Sequence, residues 1–234
     1  MSLLTFCQDA VERCGVFATP SAIVGSSNDG AKLLFRLANQ EGRELSRRHP
    51  WQRLIKEITF TSTAEAAEIA VADFRWIVPG TFWNRTTLHP VNGPLTPQEY
   101  QSHVANVSVY TTDHWRLRGD TLTILPTPDA GHLFAFEYIS AYWAGGAADT
   151  APTQDAFEQD TDITFLDEEL LTLGLVWRLL RSKGLDYAEA FRTYEVEVTK
   201  MMGRDGGRRM IDATEGERVF KPRAPMPPGG NWPL

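Results

Sequence analysis

Cysteine is scarce: Cys7 and Cys14 are the two in 234 residues. Seven positions apart on one helix, they stand roughly 10 Å apart along its axis, too far for a disulfide. Both therefore read as reduced, buried thiols of a chain made in the cytosol. No apolar run approaches the ~18 residues of a membrane span. The N-terminus lacks the basic-then-apolar layout of a secretory leader, so neither membrane nor export is expected. Cations are in deficit, 23 Lys and Arg against 30 Asp and Glu, for a net charge of −7. That balance argues against a general affinity for nucleic-acid phosphates, which need a basic face.

Catalytic and cofactor motifs are missing too. The five histidines, His49, His89, His103, His114 and His132, have no metal-ligand spacing among themselves or with the cysteines. There is no G-x-S-x-G elbow, P-loop or G-x-G-x-x-G run. The stretch Gly25-Ser26-Ser27-Asn28-Asp29-Gly30 suggests a phosphate loop. It has neither a lysine nor a preceding strand, so it reads as a solvated turn and helix cap. Asp155, Glu158, Asp160 and Asp162 lack the spacing of a calcium loop and read as a solvated acidic loop. Trp76, Phe82, Trp83, Trp115 and Trp143 offer aromatic surface for stacking on single strands. Without a basic groove beside them, they read as core or interface residues. No enzymatic activity, metal or cofactor is expected.

What the chain does have is a strongly patterned stretch at 165–202. Leu166, Leu170, Leu173, Trp177 and Leu180 recur at spacings of three and four, beside a second row of Leu171, Leu175 and Leu179. A stripe that wide needs partners on two sides. Asp167, Glu168 and Glu169 favour its start, Arg178, Arg181 and Lys183 its end, and Gly184 stops it. A second helix follows, with Asp186 as the expected N-cap and Glu189 completing a capping box. Tyr187, Phe191, Tyr194, Val198 and Met201 line its inner face. So short a link makes the pair an antiparallel hairpin.

Upstream, two helices are expected. The first covers 3–14, with Leu4, Cys7, Val11 and Cys14 on one face and Gly15 as terminator. The second runs from a cap at Asp29 to Arg48, with Leu33, Leu34, Leu37, Ala38, Glu41 and Leu45 in register, and ends before His49-Pro50. The middle is β-rich. Strands are predicted at 55–61, 76–78, 82–84, 88–91 and 133–142, with a hairpin of 114–118 and 121–125 turning at Gly119-Asp120. Thr96-Pro97-Gln98-Glu99 is a capping box opening a short helix. Residues 64–72 and 144–164 read as loops. From Gly203 onward, six cations and four anions give +2, leaving −9 on the rest. Six glycines, and five prolines from Pro222 to Pro233, deny that stretch a core of its own.

The fold expected is therefore α+β. Residues 1–50 and 163–205 form a helical bundle of the two N-terminal helices plus the C-terminal hairpin. Residues 51–162 are an inserted β-rich region, and 206–234 an extended C-terminal arm.

Three segments carry more specific wording: GAKLLFRLANQEGRELSRRHPWQRLIKEITFTS, FWNRTTLHPVNGPLTPQEYQ and LDEELLTLGLVWRLLRSKGLDYAEAFRTYE. They resemble the head-to-tail adaptor (connector) proteins of tailed bacteriophages, similar in helix order to the tail-tube A and tail accessory adaptors of short-tailed phages. The resemblance spans about 3–207 and rests on packing segments. It implies a virion protein at the head–tail junction, made in the host bacterial cytoplasm. About twelve copies would form a ring beneath the portal protein, each touching neighbouring adaptor subunits. The arm would reach the portal through Arg208, Arg209, Met210, Ile211, Val219, Phe220 and Trp232. The β-rich part, through Trp83, Arg85 and Trp115, would meet a tail or nozzle protein or the next subunit. DNA would pass along the channel without specific binding, repelled by the acidic body. A second reading is a virion-associated cell-wall hydrolase using Glu137 and Asp167 as its carboxylate pair.

Overall fold

A computed structural model describes residues 1–16, 18–63, 69–105, 112–119 and 121–206. In chain order the elements begin with helices α1 (Leu3–Cys14) and α2 (Asp29–Arg48), then strands β1 (Ile55–Thr61), β2 (Ile69–Ala70), β3 (Phe74–Ile77), β4 (Trp83–Asn84) and β5 (His89–Pro90). Helix α3 (Pro97–Ala105) precedes β6 (His114–Arg118), β7 (Thr121–Leu125), β8 (Leu133–Ser140), β9 (Ala144–Gly145) and β10 (Ile163–Thr164). Helices α4 (Glu168–Ser182) and α5 (Ala188–Asp205) close the described chain. The protein is of mixed α+β class. Of the arm expected at 206–234, all but Gly206 lies outside the described residues.

The chain divides into two compact units. The first comprises Met1–Lys56, Asp73–Trp76 and the described residues from Tyr138 onward; the second comprises the described parts of Glu57–Ala72 and Ile77–Glu137. The first unit thus takes in residues 138–162 along with the helices.

In the first unit α4 is central and packs on α1, α2 and α5. Its double leucine row explains this, since Leu170, Leu171, Leu175 and Leu179 are all essentially buried. The Asp167 carboxylate accepts the Leu170 N–H at 3.0 Å and caps α4, and Gly184 takes the left-handed φ of 69° that ends the hairpin's first arm. Two caps differ from expectation. Asn28, not Asp29, caps α2, its side chain accepting from Gly30. At α5 the N-cap position is Tyr187, while Asp186 accepts only the Ala188 N–H at 3.0 Å and Glu189 makes no box. The buried face of α1 holds Leu3, Phe6, Cys7, Ala10 and Val11, so it is rotated from the face centred on Leu4 and Cys14. Both cysteines are free.

Residues 144–164 are not simply a loop, as expected. β9 and β10 pair antiparallel, Ile163 opposite Gly145, and the acidic side chains between them brace backbone. Asp162, 2% exposed, accepts from the N–H groups of Glu158 and Gln159 at 2.6 and 2.8 Å. Asp160 accepts from Val24 at 2.8 Å. These two are structural carboxylates and not a solvated patch. Trp143, fully buried, lies where any side chain on Gly42 of α2 would stand, and its indole N–H donates to the Asp155 carbonyl at 2.7 Å.

The larger sheet has the order β1-β8-β4-β5, with β3 also pairing to β8. Although Phe134, Phe136 and Tyr138 alternate along β8, Phe134–Phe136 and Tyr138–Ser140 are buried on consecutive positions, as befits a strand covered on both faces. Within the second unit the core is aromatic. Phe60 stacks on Phe134 at 5.3 Å, and Phe82 meets Phe136 at 5.1 Å and Trp115 at 6.2 Å. A three-stranded sheet, β2-β7-β6, completes this unit; the expected hairpin runs in register from His114 opposite Leu125 to Arg118 opposite Thr121. Part of the stretch taken for a loop at 64–72 contributes β2. The Thr96–Glu99 box forms as expected, the Thr96 N–H donating to Glu99 at 2.8 Å and the Glu99 N–H to Thr96 at 3.3 Å.

Candidate interaction surfaces

On the second unit, Trp83 and Arg85 come to one surface. Trp83 pairs across β4 with Ala135 of β8 and Pro90 of β5, and its indole N–H donates to the Gly80 carbonyl at 3.3 Å. The guanidinium of Arg85 meets Glu57, with half of each side chain exposed. Behind them Asn84, 1% exposed, builds the turn from β4 to β5. Its side-chain oxygen accepts from Thr86 and Thr87 at 3.1 and 3.2 Å, and its amide donates to Asp113 at 3.0 Å.

That turn presents Leu88, which is 74% exposed and holds a φ of 59°. A leucine there has its Cβ crowded by the following carbonyl, at a cost of about 1–2 kcal/mol, and among the described residues little covers it in return. Leu88, Trp83, Arg85, Glu57 and Glu137 border an open depression of about 510 Å³. Trp115 is not part of this surface. It is 8% exposed and packs against Phe82, so its side chain belongs to the aromatic core. Of the other aromatics, Phe82 and Trp143 are buried as read, whereas Trp76 is 62% exposed. The arm residues Arg208, Arg209, Met210, Ile211, Val219, Phe220 and Trp232 all lie outside the described residues.

The two residues of the hydrolase reading fall in different units. Glu137 is an exposed position of β8 in the second unit, while Asp167 in the first is occupied as the α4 cap. Among the described residues no group of three or more His, Cys, Asp or Glu side chains is arranged to hold a metal ion.

The first unit contains two buried polar clusters that periodicity does not reveal. In one, Glu41 of α2 is fully buried against Gly174 of α4, where a Cβ would strike its carboxylate. Arg178 Nε donates to Glu41 at 2.5 Å and its Nη2 to Glu44 at 2.6 Å; the Tyr194 hydroxyl of α5 donates to the second Glu41 oxygen at 2.5 Å. Arg48 extends the set to Glu195 at 2.7 Å and lies 5.3 Å from the Tyr194 ring centre. Burial pushes the Glu41 carboxyl up against the opposing pull of Tyr194 and Arg178. In the other cluster Asp73 accepts from Lys56 at 2.6 Å, Ser140 at 2.8 Å and Tyr138 at 2.9 Å. Burial opposes its charge, but the bonds from Lys56, Ser140 and Tyr138 together hold its carboxyl below the usual range. All four of these carboxylate oxygens accept hydrogen bonds from protein donors, so the clusters fix geometry.

The sequence signal for the first cluster is a glutamate on the inner face of α2 and an arginine inside the leucine stripe of α4. Each is affordable there only if paired. No protein-family description matches this chain, and no curated protein is found related to it.

Proposed function

We propose that this protein is a structural subunit of a tailed-phage virion, a head-to-tail adaptor that joins a ring of copies to the portal above and the tail below. The three resembling segments suggest it, and the geometry that supports it best is Leu88. A large apolar side chain held outward in a strained backbone is retained where something else covers it. With Trp83 and Arg85 beside it, the turn has an apolar anchor and a charged rim, the composition of a protein contact. The first unit, with its hydrogen-bonded buried clusters and four-helix packing, is built as a rigid body. The acidic excess of the body keeps DNA from adhering broadly to a channel wall.

The test is the mass of the purified full chain alone and after mixing with a portal ring from the same genome. The expected result is a subunit that adds to the portal, and a chain truncated after Gly206 that does not. Failure of the full chain to join the portal counts against the reading. Clearing of a cell-wall suspension by the purified protein, abolished by Glu137→Gln or Asp167→Asn, would replace it with the hydrolase.

A further inference from the structure

The outer face of α2 is basic on an acidic protein. Lys32, Arg36, Arg43 and Arg47 lie at offsets of 0, 4, 11 and 15 residues, which at 100° per residue places all four within about 60° of one another. At about 1.5 Å per residue the ladder is roughly 22 Å long. Arg36, Arg43 and Arg47, with Phe35 and Gln40, line an open depression of about 710 Å³. Its single carboxylate, Glu44, is already bonded to Arg178 at 2.6 Å and Arg48 at 3.3 Å. Arg43 has only Asp155 at 3.8 Å, itself 67% exposed, and Lys32 only Asp29 at 3.5 Å, 99% exposed. Among the described residues no carboxylate lies within ion-pair distance of Arg36 or Arg47.

Side-chain repulsion in this arrangement works against the helix, and the helix dipole offsets it for Arg47, which lies in the last turn. Lys32 with Arg36, and Arg43 with Arg47, are like charges one turn apart, each pair costing a few tenths of a kcal/mol. Elsewhere in the same unit the pattern is the opposite: Arg13, Arg48 and Arg178 each hold two carboxylates. With 30 acids available to 23 bases, a row of guanidiniums left without firm partners points to an anion from outside.

We propose that the Lys32–Arg36–Arg43–Arg47 face of α2 is a contact for the phosphate backbone of duplex DNA. The ladder is straight and open, with cations about 6, 10 and 6 Å apart along the axis. It therefore suits an anion that repeats along a line. One DNA strand advances about 3.4 Å of axis per phosphate, so the ladder spans roughly six base pairs, whose two strands present phosphates to it in turn. No enclosed pocket accompanies it to read bases, and the contact is indifferent to sequence. Choosing DNA as the polymer rests on the adaptor reading; the charge and spacing stand without it. In a ring, one such ladder per copy on an otherwise repelling body would guide DNA without trapping it.

The experiment is fluorescence anisotropy of a labelled 20-base-pair duplex with the full chain at increasing salt. Four phosphate contacts predict a slope of log K against log salt near −3.6, a loss of about 150-fold between 50 and 200 mM. Replacing Arg36, Arg43 and Arg47 together by Gln should bring the slope close to −1 and weaken binding at 50 mM salt at least 30-fold. The three side chains are exposed, and an unchanged thermal midpoint verifies that the variant folds. Absence of binding at 50 mM salt, or binding that the variant leaves unchanged, overturns the inference. So does a variant whose only change is lost self-association, since that assigns the face to an acidic patch of a second copy. Portal addition measured on the same two proteins separates the readings: a full chain that joins the portal but ignores DNA refutes only the ladder.

Discussion

Each of the two units is stabilised internally by different physics. In the helical unit, buried charge is distributed across elements: Arg178 of α4 and Tyr194 of α5 both bond Glu41 of α2, and Asp73 gathers Lys56, Tyr138 and Ser140. The sheet unit has few such ties and relies on rings, Phe60, Phe82, Phe134, Phe136 and Trp115, in contact at 5–7 Å. Hydrogen-bonded charge is directional and fails sharply when one member is removed. Ring packing depends on volume and tolerates adjustment around it. A unit of the first kind suits a fixed body. One of the second kind can vary its loops and exposed turns while keeping its core.

The comparison is broken most directly by removing one member of each core. Arg178→Met leaves Glu41 buried with Tyr194 as its remaining donor and should cost about 3–5 kcal/mol. Phe134→Ala, at a fully buried ring, should cost a similar 3–5 kcal/mol by loss of contacts and the cavity left behind. Two further measurements in urea tell them apart. Adding Glu41→Gln to Arg178→Met should recover more than half the loss, because the stranded charge is gone. Burial already pushes Glu41 up, so without the arginine its carboxyl takes a proton more readily as pH falls toward about 4 and the deficit narrows. The Phe134→Ala loss should respond to neither manipulation. Strict additivity of the two charge substitutions would remove the basis for contrasting the units.

A smaller effect sharpens the same contrast through pH. The folded Asp73 carboxyl is held below its ordinary range. Its contribution is therefore fully present above the unfolded value near 3.9 and is lost as pH falls through the depressed folded value. Asp73→Asn should cost about 1.5–3 kcal/mol at pH 7, the worth of hydrogen bonds to a charged group. In unfolding series the variant and the parent should converge below about pH 4. A difference that persists undiminished in acid would mean that Asp73 acts through its shape.

Much of the helical unit was legible because its signals are local. The double leucine row of 166–180, the acidic first turn and Gly184 are all written within one helix length, and α4 obeys them. The short helix opened by the Thr96–Glu99 box and the hairpin of 114–118 with 121–125 formed for the same reason. What could not be read depends on distance in the chain. Glu41 was placed on the inner face of α2, yet its partners Arg178 and Tyr194 lie 137 and 153 positions away, and no spacing rule connects them. The β9–β10 ladder is two residues long and made by backbone, so it leaves no alternation to find. Asp160 and Asp162 resembled a solvated loop because carboxylates that accept backbone N–H groups look, in sequence, like any acidic run. Of the candidate contacts, Trp83 and Arg85 reached one surface and Trp115 did not. An aromatic on a strand carries the same letter whether it faces the core or the partner.

The smallest predicted effect is at Leu88. Its φ of 59° costs about 1–2 kcal/mol for a leucine, and at 74% exposure the side chain recovers little by burial. Leu88→Gly removes the crowding but adds about 0.4–1 kcal/mol of unfolded-state freedom, for an expected net gain near 0.5–1 kcal/mol in urea unfolding. Leu88→Asn, which also tolerates the left-handed region, should gain a comparable amount without the added freedom of glycine. If the turn is a partner contact, both variants should be more stable alone and yet assemble less well with tail component or neighbouring copy. That combination is one a purely structural leucine cannot produce. A loss of stability in both variants would show that Leu88 supports its own unit, and the surface around Trp83 and Arg85 would then lose its apolar anchor.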